Sequence, residues 1–246
     1  MLQQTQVERV LPKYRAFLKR FPSFKVLAAA STADVIREWQ GLGYNSRALR
    51  LKRIAETVVA TFGGKLPSDL ESLRNLKGIG PYTAAALRAF AFDCDDAAVD
   101  TNVRRVVHRL TLGAEGPRAL VPHGRGHDWN SALMDFGATI CTARAPKCAI
   151  CPLKALCPSY PIEPAAVKSN RTKTNTVPFE KTTRFARGRI IDRLRRLPPG
   201  ERVSLLVLHK ELALPGRSAR DVSTLVEALS RDGLVTVRKR QVALTD

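Results

Sequence analysis

The sequence predicts a mainly α-helical protein in two parts: a long helical domain over residues 1–157, a linker over 158–183, and a small winged-helix-like basic domain over 184–246. Three observations carry this expectation. From residue 4 to about residue 141, apolar residues recur with helical spacing, Gly, Pro and capping residues punctuate them, and strand signals are nearly absent. Between 158 and 183, Pro158, Pro161, Pro164, Ser169, Asn170 and Pro178 break every period, as a linker does. Beyond it, three helical stretches precede two short strand-like runs, the element order of a winged helix.

Each element has its own signal. Val7, Val10, Leu11, Tyr14 and Leu18 follow the spacing of a one-sided helix that Phe21-Pro22 ends. Ser31 with Asp34 forms an N-cap pair leading into Val35, Ile36 and Trp39, and Gly41-Leu42-Gly43 closes that segment. Leu49, Ile54, Val58, Val59 and Phe62 line a longer helix that Gly63-Gly64 stops, and Ser68-x-x-Glu71 is a capping box for the next one. In the tail, Ile190, Ile191, Leu194 and Leu197 mark one helix, Leu205 to Leu212 a second, and Val222, Leu225, Val226 and Leu229 a third. Gly233 then separates that helix from the runs Leu234–Val237 and Val242–Leu244.

A chain of 246 residues is long enough to bury a sizeable core. Its formal charge of +19, from 41 Lys+Arg against 22 Asp+Glu, points to a polyanionic partner, and nucleic acid is the leading one because cations that neutralise phosphates release counterions. An anionic membrane is the rival, but the chain has no apolar run of transmembrane length. The start MLQQTQVERVL has no basic segment followed by an apolar one, so no secretory signal is read and a cytoplasmic location is expected. The stretch from Ala165 to Asp246 holds 18 Lys+Arg against 8 Asp+Glu, so the tail is expected to bind DNA or, in the other reading, a protein partner.

Three motifs carry chemistry. Leu76-Lys-Gly-Ile-Gly-Pro-Tyr-Thr-Ala84 places two glycines in a tight turn that opens a helix, which makes either an anion-binding concavity for a DNA phosphate or a plain helix-turn-helix connection. Val99-Asp100-Thr101-Asn102-Val103 sets an acid at a helix mouth, where it serves either as an N-cap or as a carboxylate beside a sugar that acquires oxocarbenium charge. Cys141, Cys148, Cys151 and Cys157 lie in one 17-residue window, and Cys94 stands apart between acids. In a reducing compartment such a cluster reads as metal binding. Zinc ribbons use two separated C-x2-C knuckles and this window has one, which favours a [4Fe–4S] cluster over tetrahedral zinc.

In order, LQQTQV, GLGYNSRALRL, LKGIGPYTAAA, VDTNVRRV, ALMDFGATICT and the four cysteines resemble the iron-sulfur adenine DNA glycosylases of the helix-hairpin-helix family, over roughly Met1 to Cys157. The resemblance implies that Gly78-Ile79-Gly80 is the helix-hairpin-helix turn, with Tyr82 and Thr83 beside it on the DNA. It implies that Asp100 is the catalytic aspartate, that the cysteines hold [4Fe–4S], and that Gln3, Gln4, Thr5 and the Tyr44, Asn45, Arg47 region probe the duplex near the lesion. The partner it implies is double-stranded DNA with a mismatched or damaged base, bound by a monomer associated with the nucleoid.

Bifunctional relatives resembling endonuclease III carry a lysine nucleophile where this chain has Tyr82, so simple hydrolysis is expected. Thymine/guanine mismatch glycosylases of the family also carry tyrosine there, so a thymine or uracil mismatch glycosylase is the alternative, and Gln3-Gln4-Thr5 tips the choice to adenine. In the family, the glutamate that protonates adenine lies just upstream of this chain's first residue. Met1 is therefore expected to be internal to a longer natural chain, and the polypeptide as given is expected to bind DNA yet cleave poorly. The resemblance does not extend to the family's usual C-terminal domain for the oxidised guanine.

Overall fold

The computed structural model describes residues 1–2, 5–161 and 177–246. In chain order its helices are α1 (Val7–Arg20), α2 (Phe24–Ala29), α3 (Thr32–Glu38), α4 (Ser46–Phe62), α5 (Leu70–Asn75), α6 (Pro81–Ala91), α7 (Thr101–Thr111), α8 (Gly126–Thr139), α9 (Thr183–Arg195), α10 (Leu205–Leu212) and α11 (Ala219–Arg231). The strands among the described residues are β1 (Val203–Ser204), β2 (Val235–Arg238) and β3 (Gln241–Leu244), and they form one antiparallel sheet in the order β1-β3-β2. The middle of the expected linker, 162–176, lies outside the described residues, as do Gln3 and Gln4.

The chain packs as two compact units that do not follow its order: Met1–Leu66 with Asn175–Asp246, and Pro67–Thr174. The expected domains run 1–157 and 184–246, whereas the first unit joins both chain ends. Its core explains why. Ile190, Ile191, Leu194, Leu208, Val226 and Leu229 from the tail share one buried cluster with Ala33 and Ile36 of α3 and Leu49 of α4. A second cluster, built on Phe17, Phe21, Leu27, Val35 and Trp39, ties α1 to α2 and α3, with Phe17 edge-on to both Phe21 and Trp39.

Two local expectations are corrected. On α1 the buried positions are Val10 and Phe17, while the row Val7, Leu11, Tyr14 and Leu18 is 44–57% exposed. Helical periodicity locates an apolar side of a helix, and the aromatic contacts of Phe17 decide which of two adjacent rows turns inward. The cap of α5 is Asp69, whose Oδ1 accepts from Ser72 N at 2.8 Å, so the expected Ser68–Glu71 box is displaced by one residue. Ser31 caps α3 as expected, accepting from Asp34 N at 3.0 Å, and Gly63 at φ +62° ends α4. The strand β1, which the sequence reading missed, pairs Val203 with Val242.

The second unit sets α5 and α6 in sequence around the Leu76–Gly80 turn and packs α7 on α8. That last contact needs Gly137 on α8. A Cβ there would lie 2.9 Å from Cβ of Asn102, closer than side chains pack.

Candidate active site and iron-sulfur loop

At the hairpin, Gly78 takes φ +108°, a conformation that glycine adopts freely and other residues avoid. Ile79 is buried beneath the turn, Gly80 is the N-cap of α6, and Pro81 occupies the first helical position, where its missing N–H costs no bond. A Cβ on Gly80 would meet nothing within 4 Å. The space in front of the helix N-terminus is therefore open to an anion that its dipole favours. Tyr82 is 39% exposed beside it, and Thr83 lies half-buried in the same turn.

Asp100 is the N-cap of α7. Its Oδ1 accepts from Val103 N at 2.7 Å, and its Oδ2 accepts from Asn102 Nδ2 at 3.3 Å. It also lines an open cavity of about 780 Å³ together with Tyr82, Thr101, Arg104 and His108. The cap and the cavity wall are the same carboxylate, so capping alone does not account for its place on the cavity. Burial, and then the charge of Asp100, pushes the Tyr82 phenol above its ordinary value, which keeps it a neutral hydroxyl at neutral pH.

The strand of chain that delivers Asp100 is held by residues the sequence reading passed over. Asn130 on α8 is fully buried; its Oδ1 accepts from Ala98 N at 2.7 Å and its Nδ2 donates to the carbonyls of Asp96 and Gly126 at 2.8 and 2.7 Å. Asp95 accepts from Gly124 N and Gly126 N at 2.8 and 3.1 Å, and those bonds hold its carboxyl below the usual range. Gly126 is obligatory, since a Cβ would sit 2.2 Å from the Cys94 carbonyl oxygen. Replacing Asn130 by Ala strands the buried Ala98 N–H and the part-buried Asp96 carbonyl and takes one bond from the Gly126 carbonyl, a group left unpaired costing about 1–3 kcal/mol. Asn130→Ala is thus expected to lower unfolding free energy by roughly 3–5 kcal/mol in chemical denaturation; a loss below about 1 kcal/mol would show that water replaces the amide.

The four cysteines, all free of disulfides, ring one small cavity walled by Val106, Leu110, Phe136 and Ile140. Thiolates spread around a shared cavity suit a polynuclear cluster. Two arginines one helical turn apart on α7 bind this loop. Arg105 donates to the carbonyls of Cys141 and Gly137 at 3.0 and 2.7 Å, and Arg109 donates to Cys141 Sγ at 3.2 Å and to Thr142 O at 2.8 Å. Their i, i+4 spacing in RRVVHRL is the signal in the sequence, and the sequence reading did not use it. Cys94 lies outside the ring, with its Sγ 3.5 Å from the Phe92 carbonyl oxygen.

The remaining candidates sit in the first unit, around the turn that precedes α4. Thr5 Oγ1 donates to Leu42 O at 3.2 Å, and Arg47 donates to Thr5 Oγ1 at 3.3 Å while its guanidinium lies 5.4 Å from the Trp39 ring. Trp39 Nε1 donates to Gly43 O at 3.0 Å. Tyr44 stands 41% exposed at φ +45°, and Asn45 Oδ1 accepts from Arg195 at 2.7 Å. Gly78, Gly80, Tyr82, Thr83, Asp100 and the four cysteines belong to the second unit; Thr5, Tyr44, Asn45 and Arg47 belong to the first.

Two family models match the chain. The model of the HhH-GPD superfamily of base excision DNA repair proteins matches residues 1–120, and that of the iron-sulfur binding domain of endonuclease III matches 141–157. An adenine DNA glycosylase of Mycolicibacterium smegmatis is 38% identical over 96% of this chain and 81% of its own. The human adenine DNA glycosylase is 40% identical over 64% of this chain and 31% of its own. Among solved structures, a thermostable thymine-DNA glycosylase is 32% identical with a TM-score of 0.61, covering 65% of this chain and 79% of that one. An endonuclease III–DNA complex, 23% identical with a TM-score of 0.56, shares the fold over 64% of this chain and 78% of its own. The loop at 141–157 is the site of a [4Fe–4S] cluster, and the chain belongs to the adenine DNA glycosylases, iron-sulfur DNA N-glycosylases of base excision repair built on the HhH-GPD fold.

Proposed function

We propose that this enzyme hydrolyses the N-glycosidic bond of adenine mispaired with 8-oxoguanine or guanine, without cutting the strand. The observation that carries the reading is Asp100, a carboxylate fixed by two hydrogen bonds at a helix mouth on the wall of a cavity that also holds Tyr82. A flipped base enters that cavity. As the bond to the sugar lengthens, positive charge builds on the ring, and a carboxylate already oriented stabilises it without reorganising. Tyr82 carries a phenol where a Schiff-base mechanism needs an amine, so water adds to the sugar carbon, and the proton it gives up balances the one the departing adenine gains. The N-terminus of α6 with Gly78 and Gly80 seats a phosphate, and Thr5, Tyr44, Asn45 and Arg47 form the duplex-probing surface.

Cys141, Cys148, Cys151 and Cys157 would hold the cluster, which when bound cross-links the loop against Arg105 and Arg109 of the helix that presents Asp100. The protein acts as a monomer on nucleoid DNA; among the described residues no helix is long and apolar enough to cross a membrane. Single-turnover excision from duplexes carrying A opposite 8-oxoguanine, T opposite G and U opposite G tests the assignment. Preferential release of adenine from the first is expected, read as a ratio to the other two duplexes so that a slow absolute rate does not decide it. Release of thymine or uracil in its place would move the enzyme to the thymine or uracil mismatch class.

A further inference from the structure

The first unit carries a groove of about 660 Å³ between the turn at Gly43, Tyr44 and Asn45 and the face of α9 that presents Arg184, Gly188 and Arg189. We infer that this groove seats the sugar-phosphate backbone of the bound DNA, with Arg184 and Arg189 as phosphate donors and Gly188 as the point of closest approach. The inference rests on the reading that the chain acts on duplex DNA, and it gives the winged-helix-like tail a defined contact beside the duplex-probing turn.

The arginines of α9 divide into two sets. Arg187 pairs with Asp232, Arg193 with Glu211, and Arg195 with Asp192, the acid that also lines this groove. Arg184 and Arg189 are exposed and carry no ion pair among the described residues, and Arg184 lies with its guanidinium 4.3 Å from the Tyr44 ring centroid. Exposed guanidinium groups on one wall, with the only lining acid already neutralised by its neighbour, are suited to phosphate oxygens, which they bind in bidentate fashion.

Gly188 is the second observation. It lies inside α9, where glycine weakens a helix relative to alanine, and a Cβ built on it meets nothing within 4 Å. Nothing among the described residues calls for its missing side chain. An external strand approaching the helix backbone does. The turn opposite is held in a costly shape: Tyr44 is a non-glycine residue at φ +45°, and Asn45 accepts from the buried Arg195 at 2.7 Å. The tail thus fixes the turn and walls the groove at once.

The test uses the full chain with its cluster and an undamaged duplex, followed by fluorescence anisotropy through a salt series. Arg189→Gln should weaken binding several-fold and reduce the salt slope by about 1, the signature of one lost phosphate contact. Gly188→Ala should raise the melting temperature and yet weaken binding, a combination that a purely structural glycine does not give. Arg15→Gln, the same charge change on exposed α1, should leave the slope unaltered. If Arg189→Gln and Gly188→Ala keep wild-type affinity and slope, or if Arg15→Gln reproduces the loss, the groove does not hold DNA and a protein occupant takes its place. Base release is measured separately, so a chain that binds through the groove but releases thymine or uracil in place of adenine would overturn the proposed function and leave this inference standing.

Discussion

Asp100→Asn should lower single-turnover excision by about 10²–10³-fold, the usual effect of deleting a preorganised group that faces transition-state charge. Duplex affinity should change little, because the carboxylate faces the sugar's developing cation and repels phosphate. The amide is the informative substitution here. Asn and Asp are about equally good N-caps, so the bond from Val103 N, 2.7 Å long in the wild type, survives the exchange while the negative charge does not. Asp100→Ala removes both and should lose about 1 kcal/mol of stability in addition. An Asn variant that excises at the wild-type rate, with melting unchanged, would reduce Asp100 to its capping role.

The residues proposed for this site stand out in the sequence, and the reason is chemical. The roles proposed for Gly78, Gly80, Asp100 and the four cysteines rest on backbone freedom, a fixed charge or thiolate donors, properties that belong to a residue type at a spacing and survive without knowledge of packing. The opposite holds for Asn130, whose value lies in three backbone partners contributed by Ala98, Asp96 and Gly126. No local pattern announces such a residue. Arg105 and Arg109 fall between, since their spacing was visible and their target, the cysteine loop more than 30 residues on, was not.

The tail gives the same lesson at the scale of the fold. Its helices and hairpin followed from periodicity and glycine placement, but the decision that Ile190 and Leu194 pack on Ile36 and Leu49 is made by the tertiary structure. Deleting the tail would therefore uncover the core of α3 and α4, and a salt slope measured after such a deletion would report unfolding together with lost phosphate contacts. Point substitutions on the surface of α9 avoid that confusion.

Cys148→Ser should strip the cluster and loosen the second unit, with Cys94→Ser as its counterpart. Residues 140–161 contain no α-helix or strand, and the loop's large apolar side chains Ile150 and Leu156 are 69% and 76% exposed, so hydrophobic burial does little to hold them. What remains is ligation, together with the bonds from Arg105 and Arg109, and binding free energy at a site absent from the unfolded chain is folding free energy. Loss of such a site belongs to the small class of substitutions worth more than about 4 kcal/mol. Iron content and cluster absorbance should fall away in Cys148→Ser, and the denaturation midpoint should drop with them. Cys94, half-buried and outside the ring, should give full iron and a stability change within about 1 kcal/mol. Equal iron and equal midpoints in the two variants would mean that Cys148 is not a ligand; stoichiometric zinc without iron in the wild-type protein after anaerobic purification would overturn the cluster itself.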